Sequence, residues 1–437
     1  MTRPLPQPVR IYRVGGSVRD ELLGLPEGDR DWVVIGATPE IMLASGFRPV
    51  GKDFPVFLHP DTQEEYALAR TERKHGRGYH GFEFFATPDV TLEQDLERRD
   101  LTINAMARAP DGLLIDPYGG ERDLVAGVLR HVSPAFADDP LRVLRVARFA
   151  ARFGFAIAET TLALMRDIVA RGELDTLAPE RVFAELARGL NEAHPSRMLA
   201  ALRACDALAA LIPEVDALYA VRADDDDAGA YTERALDWSA QQRHPLPVRY
   251  AALTQELDRL TGDAPSKTSP RGATAARRRV EPVGAQVSTR AGVARAEAVS
   301  SRLKVPVDCR DTARLAARWH RKVARAESLP PAQLLDILGD ADALRRPERL
   351  EALLAAAAAH VAAGMRSSPA ASIDGSARLL HEALSVVRNV DAAAIAQATI
   401  ARAARESIAP GERGERIQSA LRDARLAALR AWKRSAV

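Results

Sequence analysis

The chain has 437 residues, 47% hydrophobic and 27% charged, with a net charge of +2; this describes two to four folded domains and excludes a disordered or fibrous chain. Cys205 and Cys309 are its two cysteines, too few for a disulfide framework, so a reducing compartment is expected. The opening MTRPLPQPVR has no apolar signal core and no membrane-length apolar run follows, so a cytoplasmic protein with no membrane partner is expected.

Residues 11–35 organise the rest. Ile11 to Val14 read as a short apolar strand, Gly15-Gly16 as a turn, Ser17 as the start of a helix, and Asp29 and Asp31 as carboxylates carried into the apolar strand Trp32 to Ile35. On a strand, residues two apart project to one face, so both carboxylates would aim together. A Gly-Gly corner alone is commonly just a corner, and Asp-x-Asp alone commonly caps a helix or faces water. Together they form a minimal site for Mg²⁺ holding a nucleoside triphosphate. Gly16 lets backbone amides approach the phosphates, and Arg19, one helical turn on, reaches the same anion.

Candidate strands at 11–14, 31–35, 56–59 and 65–69 alternate with helices at 17–23, 39–45 and 92–107, which predicts an α/β domain over 1–135. Glu65 opens one of these strands and is either a further site acid or an exposed strand-end carboxylate. Residues 72–81 have no periodicity and read as a loop. Thr91 and Gln94 form a capping box for the helix that carries Arg98-Arg99-Asp100, a run that is either functional or a solvated face.

From Asp138 the pattern is helical almost to the end. Pro140 suits a first helical position and Asp139 the cap before it. Arg142, Arg145, Arg148 and Arg152 then fall on one helical stripe with no acids spaced to match them, so an anionic partner is expected. On position alone, Asp139 reads as a helix cap and nothing more. Asp224 to Asp227 read as a solvated turn and 261–294, with Arg277-Arg278-Arg279, as a loosely held insertion. Helices follow at 308–326, 330–344, 347–363, 376–388, 391–405 and 413–433.

GGSVRD (15–20), DRDWVV (29–34), EEYALARTERK (64–74), RRDLTINAMA (98–107), IDPYGGERDL (115–124) and DDPLRVLRVARFAARFGF (138–155) occur in this order. The set resembles the signature of the class II nucleotidyltransferases of the polymerase β superfamily, the bacterial tRNA CCA-adding enzymes and poly(A) polymerases. The resemblance is dense to about residue 220. It implies an α/β nucleotidyltransferase head (1–135), a helical neck binding nucleobase and RNA (136–220), a phosphohydrolase-like region (221–300) and a helical body and tail (301–437).

It also implies Asp29 and Asp31 as ligands of Mg²⁺, Glu65 as a third catalytic acid, and Gly16, Arg19, Arg99, Arg145 and Arg148 on the triphosphate. Asp139 and Arg142 would select the base: cytosine and adenine both offer an amine beside a ring-nitrogen acceptor, whereas uracil and guanine offer the reverse. The expected reaction joins CTP and ATP to the 3′ end of tRNA as CCA; a poly(A) polymerase is the nearer alternative and a non-catalytic RNA-binding relic the farther one.

One departure stands out. The multifunctional branch carries a His-Asp phosphohydrolase, for which the comparable helix here, 248–260, has Gln255-Glu256. His244 is the one histidine between 221 and 300, so no metal cluster is expected from this region and no phosphohydrolase activity.

Overall fold

The computed structural model describes residues 5–6, 8–26, 28–50, 56–74, 82–223, 226–260, 289–364, 373–406 and 410–435. The chain forms two compact units, Met1–Ile212 and Pro213–Val437.

The first unit opens with β1 (Arg10–Val14), α1 (Gly16–Leu22), β2 (Asp31–Ile35), α2 (Pro39–Ala44), β3 (Arg48–Val50), β4 (Val56–Leu58) and β5 (Glu65–Leu68). A ribbon of β6 (Thr71–Lys74) and β7 (Phe82–Phe85), the short α3 (Leu92–Glu97), and β8 (Ala107–Arg108) and β9 (Leu114–Ile115) follow. Seven strands make one sheet in the order β3-β4-β5-β2-β1-β8-β9. Only the β2–β5 pair within it is parallel, and it sets Asp31 opposite Glu65. Val33 and Ile35 enter one core with Tyr12, Val14 and Leu96, while Val34 enters another with Met42, Phe57 and Tyr66. A strand buried on both faces reads as an unbroken apolar run, which is why Trp32 to Ile35 shows no alternation. Trp32 stacks on Tyr66 with centroids 5.6 Å apart; Asp31, one residue away, therefore projects from the other face.

The structure corrects the helix expected over 92–107. The capping box forms as expected, but α3 ends at Glu97 because its polar groups turn elsewhere. The Asp95 carboxylate accepts from Arg98 and Arg99, and Asp100 Oδ1 accepts from the Leu101 N–H and Asn104 Nδ2, both at 2.9 Å. A 3₁₀ turn at Thr102–Asn104 results, and Ala107–Arg108 goes on to pair with β1. Asp29 is likewise corrected: β2 begins at Asp31, so Asp29 lies in the approach to the strand and not on it.

After α4 (Gly120–Val125), the two-residue strands β10 (Val128–Leu129) and β11 (Ala156–Ile157) flank α5 (Leu141–Phe153). α5 starts one residue later than expected, with Pro140 rather than Asp139 at its N-cap position, and from the residue before it the Asp139 carboxylate accepts from the Leu141 N–H at 3.0 Å. Helices α6 (Glu159–Ala170), α7 (Pro179–Leu190), α8 (Pro195–Ala204) and α9 (Ala207–Leu211) complete the unit.

The second unit is helical: α10 (Pro213–Ala217), α11 (Ala228–Gln241), α12 (Leu246–Thr254), α13 (Thr289–Arg302), α14 (Val307–Val323), α15 (Pro331–Asp340), α16 (Pro347–Gly364), α17 (Asp374–Arg388), α18 (Ala392–Arg405) and α19 (Pro410–Ser435). Leu315, Trp319, Ile337, Leu353, Leu380 and Leu429 share a core. Of the acidic run, Asp227 is no turn residue but caps α11 by accepting from the Ala230 N–H at 2.7 Å; Asp224 lies outside the described residues. Of the insertion expected over 261–294, residues 261–288, with the Arg triplet, lie outside them too, and from Thr289 the chain is helical. Most of the expected loop at 72–81 falls outside them as well.

Gly120 is fixed by contact. A Cβ there would lie 2.2 Å from the Thr102 carbonyl oxygen and 2.8 Å from Met106 Cγ, so only a bare backbone lets α4 close on the 3₁₀ turn. Gly120→Ala is expected to cost about 1–3 kcal/mol, read as a lowered denaturation midpoint.

Candidate active site

Two clefts meet at Asp31. The first, about 560 Å³, is lined by Asp29, Asp31 and Glu65 with Gly28, Arg30, Thr62, Gln63 and Glu64. Parallel register gives Asp31 and Glu65 one face of the sheet. Asp31 is open to the cleft, yet the protein around it withdraws enough water to raise its pKa; Arg99 opposes this, and Glu65 and Asp29 add to it. Three neighbouring carboxylates of which one resists ionisation form a hard-oxygen set that suits a divalent cation.

The second cleft, about 540 Å³, is lined by nine arginines and three aspartates, together with Gly15, Gly16, Asn104, Leu141 and Phe149. Gly16, Arg19, Asp31, Arg99, Asp139, Arg142, Arg145 and Arg148 all lie on its wall. The ten residues singled out in the sequence thus fall on one cleft or the other, with Asp31 on both. Arg70, Arg98 and Arg181 also line it. Arg70 follows directly on the apolar run of β5, and Arg181 lies on α7; neither had a sequence signal of its own.

The arginine stripe of α5 has protein acids set against it, contrary to its appearance in the sequence. Arg145 pairs with Asp100 at 2.7 Å, Arg148 with Glu185 at 3.2 Å and Arg152 with Asp20 at 3.0 Å. These acids lie far away in sequence, so no i,i+4 pattern reveals them. Counting Asp20, Asp95 and Glu185 behind the wall, the cleft still holds more guanidinium than carboxylate. Burial lowers the Arg148 pKa against the pull of Glu185, whereas Asp100 raises that of Arg145.

A chain of polar contacts fixes this wall. Arg19, 3% exposed, donates to Asp20 at 2.8 Å and to Asn104 Oδ1 and lies over the Phe153 ring at 4.9 Å. Asn104 donates to Asp100, and Asp100 Oδ2 accepts from Arg145 Nε at 2.7 Å. Burial would raise the Asp100 pKa, but Arg145, Asn104 and Arg142 hold it well below the usual carboxylate range. Gly15 closes the corner at φ +71°, and a Cβ there would come within 2.7 Å of Arg99 Nη1. Of the pair expected to select the base, Asp139 meets Arg181 at 3.3 Å, and Arg142 donates to the carbonyls of Ala135 and Arg98 at 2.9 and 2.7 Å.

The second unit holds a side-chain cluster that the sequence reading, confined to residues 221–300, did not assemble. Glu256, His320 and His360 bring donor atoms within 4.8 Å of one another. The histidines come from α14 and α16, beyond the window in which a metal cluster was ruled out.

An open acid cleft joined to an arginine-walled one, on a short mixed sheet followed by helices, defines a nucleotidyltransferase. Residues 11–130 match the family model "Poly A polymerase head domain", and 154–219 match "Probable RNA and SrmB- binding site of polymerase A". The multifunctional CCA protein of Chromobacterium violaceum is 53% identical over 395 residues, 89% of this chain and 92% of that one. That of Aromatoleum aromaticum is 54% identical over 397 residues, 89% and 93% of the two chains. The crystal structure of the Bacillus stearothermophilus CCA-adding enzyme in complex with CTP shares the fold, with a TM-score of 0.57 at 23% identity, covering 86% of this chain and 78% of that one. The chain belongs to the multifunctional CCA protein family and is a CCA-adding tRNA nucleotidyltransferase.

The raised pKa of Asp31 makes a stability prediction. Between the ordinary carboxylate pKa, about 4, and its raised folded value, the unfolded chain ionises first, so stability falls as pH rises and the loss persists above that window. In metal-free buffer at neutral pH, Asp31→Asn is expected to melt no lower than the parent. The difference should vanish as pH falls to the ordinary carboxylate range. A parent more stable than the variant in chelator at neutral pH contradicts this.

Proposed function

We propose that Asp29 and Asp31 hold the divalent ion for CCA addition, with Glu65 as third carboxylate, while the arginine wall binds CTP or ATP. The observation that carries this is the shared position of Asp31, at the seam of an acid cleft and a cation-lined one. The donor set, carboxylates alone, fits Mg²⁺ better than a softer metal. Such an ion, when bound, lowers the pKa of the attacking 3′-hydroxyl and neutralises charge at the α-phosphate.

The chain's own groups do the positioning. Gly16, Arg19, Arg99, Arg145 and Arg148 bind the triphosphate, and because Asp20, Asp95, Asp100 and Glu185 already hold several of these guanidiniums, little ordering is needed when it arrives. Asp139 accepts from the exocyclic amine and Arg142 donates to the ring nitrogen. Arg142 gives up a carbonyl partner for the base, so uracil or guanine would leave buried polar groups unmatched. The tRNA 3′ end enters at the acid cleft, where Glu65 is placed to assist as ligand or proton acceptor. Cytoplasmic action on tRNA follows from this reading. No helix among the described residues is long and apolar enough to cross a membrane.

Phosphohydrolase activity is not part of this proposal, because Gln255-Glu256 stand where a His-Asp pair is required. Hydrolysis of 2′,3′-cyclic AMP on adding metal, if it survived loss of Asp29, would overturn that.

A tRNA lacking CCA, incubated with CTP alone, should gain two cytidines and then one adenosine when ATP is added. Adenosine runs without cytidine would identify a poly(A) polymerase. Asp31→Ala should abolish both additions while leaving tRNA affinity nearly unchanged. Arg142→Ala should relax discrimination against UTP by about two orders of magnitude; unchanged discrimination refutes its role.

A further inference from the structure

In the second unit, Glu256 and Asp258 are buried, 0% and 2% exposed. Glu256 Oε1 lies 2.7 Å from His360 Nδ1 and 3.5 Å from His320 Nε2. Its Oε2 accepts from Arg321 Nη2 at 2.6 Å and from Arg259 Nε at 2.5 Å. Arg321 continues to Asp258, with its Nε 2.9 Å from Oδ2 and Nη2 3.1 Å from Oδ1. A single guanidinium thus bridges two buried carboxylates.

His320 supplies the second observation. Its Nδ1 lies 2.6 Å from the Ala316 carbonyl oxygen, so Nδ1 carries the proton, and in the neutral ring Nε2 presents a lone pair. That Nε2 is buried, has no hydrogen-bond partner and faces the carboxylate oxygen Glu256 Oε1. Together with His360, this nitrogen and the Glu256 carboxylate bring three donor atoms within 4.8 Å of one another, the geometry of a set of metal ligands. The charge balance, however, refuses one: Glu256 and Asp258 are matched by Arg259 and Arg321, so a divalent ion would add two uncompensated charges in a dry site.

We infer that Arg321 occupies the seat of a cation in this cluster, that the native chain therefore binds no metal there, and that shortening Arg321 opens a divalent site of Glu256, His320 and His360. Two imidazole nitrogens and a carboxylate oxygen select Zn²⁺, Co²⁺ or Ni²⁺ over Mg²⁺. This goes beyond nucleotidyl transfer, and a metal count does not depend on that activity.

The test is Co²⁺ titration of the full chain, read by bound equivalents and visible ligand-field absorption. The head contributes equally to every variant compared and cancels. Arg321→Ala should bind one equivalent more than the parent, with a new absorption band, and adding His320→Ala should remove both. The melting temperature of Arg321→Ala should fall without metal and recover with Co²⁺ or Zn²⁺ but not Mg²⁺. A parent that already holds an equivalent lost on His320→Ala overturns the inference, as does a folded Arg321→Ala that gains none. Arg321→Met, which keeps bulk but no charge, is the second variant. If neither folds alone, refolding with Zn²⁺ must restore the native melting transition, and failure to do so counts against the proposal.

Discussion

The first unit depends on a buried carboxylate. Asp100 joins Leu101 and Asn104 on its own turn to Arg145 on α5, and through Asn104 it reaches Arg19 on α1. A charge so far from water persists only with partners; these lie on its own turn and on α5, and Asn104 ties them to Arg19 on α1. The price of burying Asp100 is therefore met only when the glycine corner, the 3₁₀ turn and the arginine helix are assembled together. The same contacts hold the guanidiniums in place before any anion arrives. Preorganised charge of this kind stabilises a transferring phosphoryl group without further rearrangement.

Much of this was legible in local patterns. The alternation of apolar runs and turn residues located β1, β2, β4 and β5, the capping box located the start of α3, and Leu/Ala periodicity located α14 to α19 within a few residues. What escaped was set by contacts distant along the chain. The end of α3 depends on how the Asp95 and Asp100 side chains are engaged, and no helical period encodes that. The arginine stripe read as unpaired because Asp20, Asp100 and Glu185 come from other elements. The cluster around Glu256 was missed because its histidines lie 64 and 104 positions on, outside 221–300. Asp29 was placed on a strand that begins two residues later.

The two units treat clustered carboxylates in opposite ways. In the head, Asp29, Asp31 and Glu65 line an open cleft, and Arg99 only partly relieves Asp31; the site is left wanting a cation. Around Glu256, two guanidiniums satisfy the acids fully, and burial lowers the His360 pKa despite the neighbouring carboxylate. The first arrangement gives up some stability for exchangeable chemistry. The second fixes a helical core.

Because one carboxylate belongs to both chambers of the head, the cation and nucleotide proposed for them would not bind independently. A cation settling against Asp31 removes negative charge from the wall that the nucleotide phosphates approach, and the phosphates in turn deepen the well for the cation. Thermodynamic reciprocity requires each to strengthen the other by the same factor. Either partner alone would then be held less tightly than in company with the other.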